Sequence, residues 1–154
     1  MSKPKERFKL IPAVYLILRR GNRILLLRRA HTGYQDGKYS VVAGHLDGDE
    51  LATEAMAREA KEEAGITIDP SALQLIHTAH RLSRNQVGQE RIDLFFEAKE
   101  WQGDIIIAEP DKCDDLSWHD LDDLPDNMLP FVKRVLTDIL RGVNYSEYTE
   151  EPVD

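Results

Sequence analysis

Apolar positions fall into short, dense blocks separated by turn-forming residues. Leu10 to Leu18 is apolar and rich in β-branched residues, Arg20, Gly21 and Asn22 interrupt it, and Arg23 to Leu27 resumes the run. That pattern predicts a β-hairpin. Ala30 to Lys38 is polar and glycine-bearing, so it reads as a loop leading into the apolar segment Tyr39 to Ala43 and a strand that ends at Gly44. Glu50 to Ala64 is built largely from Ala, Glu, Lys, Met and Arg, all good helix formers, and Gly65 stands where a C-terminal cap belongs. Strand-like material returns after Pro70, over Leu73 to Leu82, Arg91 to Lys99, Asp104 to Ala108 and Leu116 to Trp118, with Arg84 to Gln89 as a hairpin loop. From Leu129 to Leu140, Phe131, Val132, Val135, Leu136, Ile139 and Leu140 recur at helical spacing behind a proline in the first turn. The acidic tail Tyr145 to Asp154 is expected to fray.

Strands around one central helix, with a second helix near the end, imply an α/β protein: an α/β/α sandwich with a mixed central sheet covered on both faces. A length of 154 residues with 42% apolar and 31% charged positions suits one domain spanning residues 1–154. No apolar run is long enough to cross a bilayer and the first ten residues are charged, so a soluble, cytoplasmic protein without a membrane partner is expected. The single Cys113 cannot form an internal disulfide and reads as a half-buried structural thiol. A net charge of -8 argues against a general binder of polymeric nucleic acid, which needs a basic surface to displace counterions. It leaves room for a small nucleotide, since divalent cations reverse the local field where phosphates sit.

The chemistry concentrates on the Glu50 to Ala64 helix. Glu59, Glu62 and Glu63 are spaced i, i+3 and i+4, so their carboxylates leave neighbouring positions on one face, which also carries Ala52, Ala55 and Met56. Like charges at these spacings cost roughly 0.2 to 0.5 kcal/mol per pair even when exposed, which calls for a cation. Hard oxygen donors with no cysteine or histidine among them favour magnesium, or manganese, over zinc. The alternative is a solvated acidic face, the reading that suits Glu54, Arg58 and Lys61 on the opposite side. A salt bridge from Glu62 back to Arg58 also fits the spacing.

The segment Gly44-His45-Leu46-Asp47-Gly48-Asp49-Glu50, then seven residues, then Arg58-Glu59-Ala60-Lys61-Glu62-Glu63-Ala64-Gly65-Ile66, resembles the Nudix hydrolase signature at its fixed positions. Ala60 is smaller than the aliphatic residue usual there and is expected to loosen packing locally. The order of strands, and Trp118 followed by Leu121 to Pro125, extend the resemblance over nearly the whole chain. It implies a Nudix fold and hydrolysis of a phosphoanhydride bond in a nucleoside diphosphate linked to another group, most readily a nucleoside triphosphate cut to monophosphate and pyrophosphate. Divalent cations would be held by Glu59, Glu62 and Glu63, with Glu50 and the Gly44 carbonyl assisting and Arg58 positioning the carboxylates. Glu62, Glu63 or a carboxylate from outside the helix would accept the proton of the attacking water. Glu109 stands where such enzymes supply an extra acidic ligand, and it also reads as an ordinary charged turn residue before Pro110. Glu97 is a weaker rival.

Arg28, Arg29, His31, Lys38 and Tyr39 precede the signature, and Arg28 and Tyr39 are candidates for contact with phosphate or base. They equally suit a snorkelling charge and a rim aromatic. His80 and Arg81 are further substrate candidates, because a His-Arg pair in an apolar strand demands partners, although a satisfied structural histidine also explains His80. His45 is weak support for a ligand on its own. Trp118, His119 and Asp120 read either as a wall of a base pocket or, for Trp118, as core. Other functions compatible with the pattern are hydrolysis of ADP-ribose, a nucleotide sugar or a dinucleoside polyphosphate, and nucleotide sensing without hydrolysis. Both a monomer and a homodimer remain open.

Overall fold

The computed structural model describes residues 2–83 and 89–150. Its strands are β1 (Ile11–Ile17), β2 (Arg19–Arg20), β3 (Arg23–Arg29), β4 (Tyr39–Ser40), β5 (Ala43–His45), β6 (Gln74–Ser83), β7 (Arg91–Glu97), β8 (Cys113–Asp120) and β9 (Tyr145–Glu150). Two helices, α1 (Ala52–Ala64) and α2 (Pro130–Leu140), complete the domain.

The strands divide into two sheets rather than one. A mixed sheet runs β5-β1-β7-β6-β9, with β1 parallel to β7 and β6 parallel to β9, while β2, β3, β4 and β8 form an antiparallel sheet centred on β3. The expected hairpin is the β2-β3 turn, where Arg20 pairs with Arg23; β1 itself enters the other sheet.

Why β1 reads as an unbroken apolar run is now clear: it is buried on both faces. Val14, Leu16 and Leu18 join the core under α1, whereas Ala13, Tyr15 and Ile17 join a second core under α2. Helix α1 contributes Ala55, Met56, Ala60 and Ala64 to the first core, all fully buried. Helix α2 contributes Val132, Val135 and Leu136 to the second. This is the α/β/α layering, with a helix on each side.

Two expectations change. Asp104 to Ala108 is not a strand: the segment runs past the end of α1, where Ile106 N–H donates to the Ala64 carbonyl and Ala108 N–H to that of Glu63. These bonds satisfy carbonyls that a helix end leaves unpaired, and they make a better use of the segment than an isolated strand. Tyr145 to Glu150 does not fray but pairs with Thr78 to Ser83, because β6 would otherwise be left with an open edge. The loop expected at Arg84 to Gln89 lies almost wholly outside the described residues, as do residues 151–154.

Candidate functional site

Helix α1 begins where Leu51 cannot cap with its own side chain, and Glu54 accepts the Leu51 N–H at 2.9 Å instead. One turn earlier, Glu50 accepts the Asp47 N–H at 2.9 Å, which ties the loop leaving β5 to the helix start. At the far end Gly65 adopts φ 72° and returns its N–H to the Lys61 carbonyl, a left-handed cap that glycine takes without strain. These terminations hold the helix against β5, so that Glu59 and Glu63 lie at the border of its packed face.

Arg58 is the centre of the arrangement, and the expectation of a solvated position opposite the acids is corrected here. Its guanidinium lies 2.9 Å from Glu50, 2.9 Å from Glu59, 3.3 Å from Glu62 and 3.2 Å from Asp47, and it also donates to the His45 carbonyl at 3.2 Å. The loop folds back over the helix and brings Asp47 and Glu50 to it, which helical geometry alone does not foretell. Hydrogen bonding to Arg58 holds the Glu50 carboxyl below the usual range, and the carboxylates in turn raise the guanidinium.

Glu59 and Glu63 behave differently. Burial pushes the Glu59 carboxyl up despite the nearby guanidinium, and Glu62 and Glu109 push the same way. Glu63 is pushed up to about 8 by burial first and then by Glu59, with Glu109 adding to the rise and the Ala43 N–H, 3.2 Å from Oε2, opposing it. Glu109 reaches this group because Ala108 is hydrogen-bonded to the helix end; Lys112 pairs with it at 3.2 Å. Glu63 and Glu109 line a small cavity of about 70 Å³ with Leu27, Arg29, Thr32, Lys112 and Cys113.

Gly44 has a steric role. A Cβ at this position would overlap the Glu59 carboxyl group, so the backbone of β5 and the acid share space that only glycine leaves open. Carboxylates thus converge on a bare stretch of main chain, a donor set of hard oxygens that suits a divalent cation. Among the described residues no three such side chains enclose an ion as they stand, since Glu50, Glu59 and Glu62 are turned onto Arg58.

The sequence profile of the NUDIX domain matches residues 9–139. The chain belongs to the NUDIX family. Its relatives include the NAD-capped RNA hydrolase NudC of Escherichia coli O157:H7, 30% identical over 123 residues, covering 79% of this chain and 44% of that protein. NudC of Stutzerimonas stutzeri is 29% identical over 117 residues, covering 76% of this chain and 39% of that protein. The NUDIX chain therefore spans less than half the length of these relatives. Among solved structures, a MutT NUDIX hydrolase from Burkholderia pseudomallei superposes with a TM-score of 0.75 at 25% identity, covering 84% of this chain and 98% of that one. A MutT protein from Bacillus halodurans gives 0.74 at 21% identity over 93% and 92%, a likeness of fold. NUDIX proteins generally use divalent metal ions. No helix among the described residues is long and apolar enough to cross a membrane.

The remaining candidates of this NUDIX chain separate. Arg28 and Tyr39 come together, the guanidinium 5.6 Å from the ring centroid, with Arg28 paired to Asp114 and the Tyr39 hydroxyl donating to Asp115. Ser117 also donates to Asp115, and His119 stands edge-on to Tyr39. Trp118 turns to the opposite face and packs on the first core, while Asp120 pairs with Arg23, so the three neighbours do not form one wall. His80 and Arg81 also point to opposite faces. His80 meets Glu90 at 2.8 Å, a satisfied position, and Arg81 is buried against Asp93, Tyr15, Glu150 and the Phe131 ring. Neither pairs with a carboxylate of α1. Glu97 pairs with Arg19 rather than with Arg58. Lys112 was missed although its i, i+3 spacing to Glu109 is visible; Asp47 had no comparable signal, because its partner is eleven residues on.

Proposed function

We propose that this NUDIX chain hydrolyses a phosphoanhydride bond in a nucleoside diphosphate linked to another group, with magnesium, or manganese, at the α1 carboxylates. The observation that carries the reading is that Glu50, Glu59 and Glu62 meet on Arg58, with Glu59 against Gly44, while Glu63 and Glu109 share the cavity beside them. Glu59, Glu62 and Glu63 would hold the cation, with Glu50, Glu109 and the Gly44 carbonyl within the same group. A cation bound there neutralises charge on the phosphate oxygens. Arg58 keeps Glu50, Glu59 and Glu62 in place by ion pairing.

In the reaction, the oxygen of water bonds to phosphorus as the bridging P–O bond breaks, and the water's proton passes to a carboxylate. Glu62, Glu63 and Glu109 are the candidates for that acceptor. Burial holds a proton on Glu63 in the metal-free protein, so it would serve as acceptor only once a bound cation has displaced that proton. Arg28 and Tyr39, on the strands beside the loop entering the signature, are proposed to contact the substrate beyond its reacting phosphates. Arg81 and His80 are proposed only as supports of the sheet.

A nucleoside triphosphate, yielding monophosphate and pyrophosphate, is the leading substrate. An NAD-like end is the second reading, favoured by the NudC relatives, which are NAD-capped RNA hydrolases, and it sets an RNA terminus against the acidic balance of this chain. The test is release of phosphate, pyrophosphate or nucleoside monophosphate from a panel of nucleoside triphosphates, ADP-ribose, nucleotide sugars, dinucleoside polyphosphates, NAD and NAD-capped RNA. Each is assayed with and without magnesium and beside Glu62→Gln. Magnesium-dependent turnover lost in the variant supports the hydrolase and selects the substrate, whereas tight nucleotide binding with no turnover on any compound would replace it by a sensing role.

A further inference from the structure

A larger cavity lies elsewhere. It measures about 830 Å³ and lies among Arg19 and Arg20, the stretch from Thr67 to Ala72, and Lys99 to Gln102. Arg20 is its most informative residue. The guanidinium stands 4.9 Å from the Trp101 ring and 5.1 Å from the Trp118 ring, and the two indoles are stacked at 6.3 Å. Among the described residues Arg19 pairs with Glu97, but Arg20 and Lys99 have no carboxylate partner. Asp69, on the same rim, spends its carboxylate on the Ser71 N–H and hydroxyl.

This cavity is distant from the carboxylates. Arg20 pairs with Arg23 at one end of β3, and Arg29 at the other end lines the cavity that holds Glu63. Six residues of extended strand span about 20 Å. One mononucleotide cannot occupy both places.

We propose that the Arg20-Trp101 cavity is a second ligand site, taking a planar ring that carries a phosphate, with a purine nucleoside monophosphate as its simplest form. Indole faces bind flat rings by stacking, and an exposed guanidinium and ammonium without partners supply the charge for a phosphate. Arg20 now covers the indoles on a flexible stem. The ligand's ring takes that face and the displaced guanidinium meets the phosphate, with Lys99 beside it. The volume falls in the range of small-molecule sites, and Ile68 and Pro70 provide an apolar wall. The site is independent of the proposed hydrolysis.

The sequence offers a direct probe, because of its two tryptophans Trp101 lines this cavity and Trp118 stacks against Trp101 behind it. Intrinsic fluorescence, excited at the red edge where adenine does not absorb, is followed during titration with AMP in the presence of EDTA. Saturable quenching is expected, weaker with adenosine and absent with inorganic phosphate alone. The double variant Arg20→Ala/Lys99→Ala, at two exposed positions, should weaken it by about ten-fold or more, while Glu62→Gln leaves it unchanged. Three results would each overturn the site: no quenching by AMP, quenching equal in the double variant, or quenching that requires magnesium and disappears in Glu62→Gln. The last would assign the nucleotide to the α1 carboxylates instead.

Discussion

Glu59 occupies the space in which any residue other than glycine at position 44 would carry its Cβ. Strand β5 and helix α1 meet at this contact, so the acid's position is set by the main chain opposite it. Gly44→Ala must push the Glu59 carboxylate aside, while adding one methyl group at a partly exposed site. The expected outcome is a fall of about 100-fold in kcat/KM, the scale of a misplaced catalytic group, with little change in Tm. Retained activity would show that the Glu59 position does not matter to the reaction.

Arg58 and its four acids make a second prediction. Removing the guanidinium in Arg58→Ala leaves Asp47, Glu50, Glu59 and Glu62 repelling one another. Thermal unfolding of the metal-free variant should occur a few degrees lower at low salt, on the order of 3 °C, and the deficit should shrink at high salt as the repulsion is screened. A deficit independent of salt would mean that the loss is one of packing.

Glu63 gives the metal-free protein a pH dependence with a definite sign. Its carboxyl is raised from 4.5 to about 8, so between those values the folded chain keeps a proton that the unfolded chain releases. The contribution of Glu63 to stability is then fully present below the ordinary glutamate range and is lost as pH rises through about 8. Tm measured in EDTA across this window should fall more steeply for the wild type than for Glu63→Gln. Equal slopes would remove Glu63 as the cause.

Asp93 and Arg81 form a buried pair at 3.1 Å, Asp93 fully inaccessible and Arg81 only 6% exposed. Asp93→Ala leaves the guanidinium beneath Phe131 with only the strand-end Glu150 as a charged partner. Chemical denaturation should show a loss of about 3 to 5 kcal/mol, the usual result of breaking one side of a buried pair. A loss under about 1 kcal/mol would indicate that Arg81 finds water or another acid.

Much of the site was legible because its spacing is local. Glu59, Glu62 and Glu63 share a face through the helical repeat, and Gly65 marks the cap by its own conformational freedom. Apolar blocks likewise placed α2 and most strands, and helix-forming composition placed α1. The Arg58 pair with Glu62 was legible from its i, i+4 spacing and the positioning role from the signature, whereas a helical wheel turns Arg58 away from Glu59 and only the returning loop brings Asp47 and Glu50 to its guanidinium. Ile105 to Ile107 carried a strand's composition but no information about partners, and the exposed helix end claimed its backbone. The tail at Tyr145 looked polar enough to fray, yet an unpaired edge of β6 supplied hydrogen bonds that no local pattern records.

By itself, then, the sequence determined both helices and most strands, the NUDIX signature and the acids of α1, all properties of residues near one another along the chain. Tertiary structure decided which groups meet across it. Glu109 joins Glu63 because the segment before it caps a helix, Trp101 joins Trp118 and Arg20 because β2, β8 and the loop after β7 end together, and His80 and Arg81 separate because a strand alternates its faces. Those juxtapositions depend on sheet order and loop path, which are set by burial of the whole chain rather than by any stretch of it.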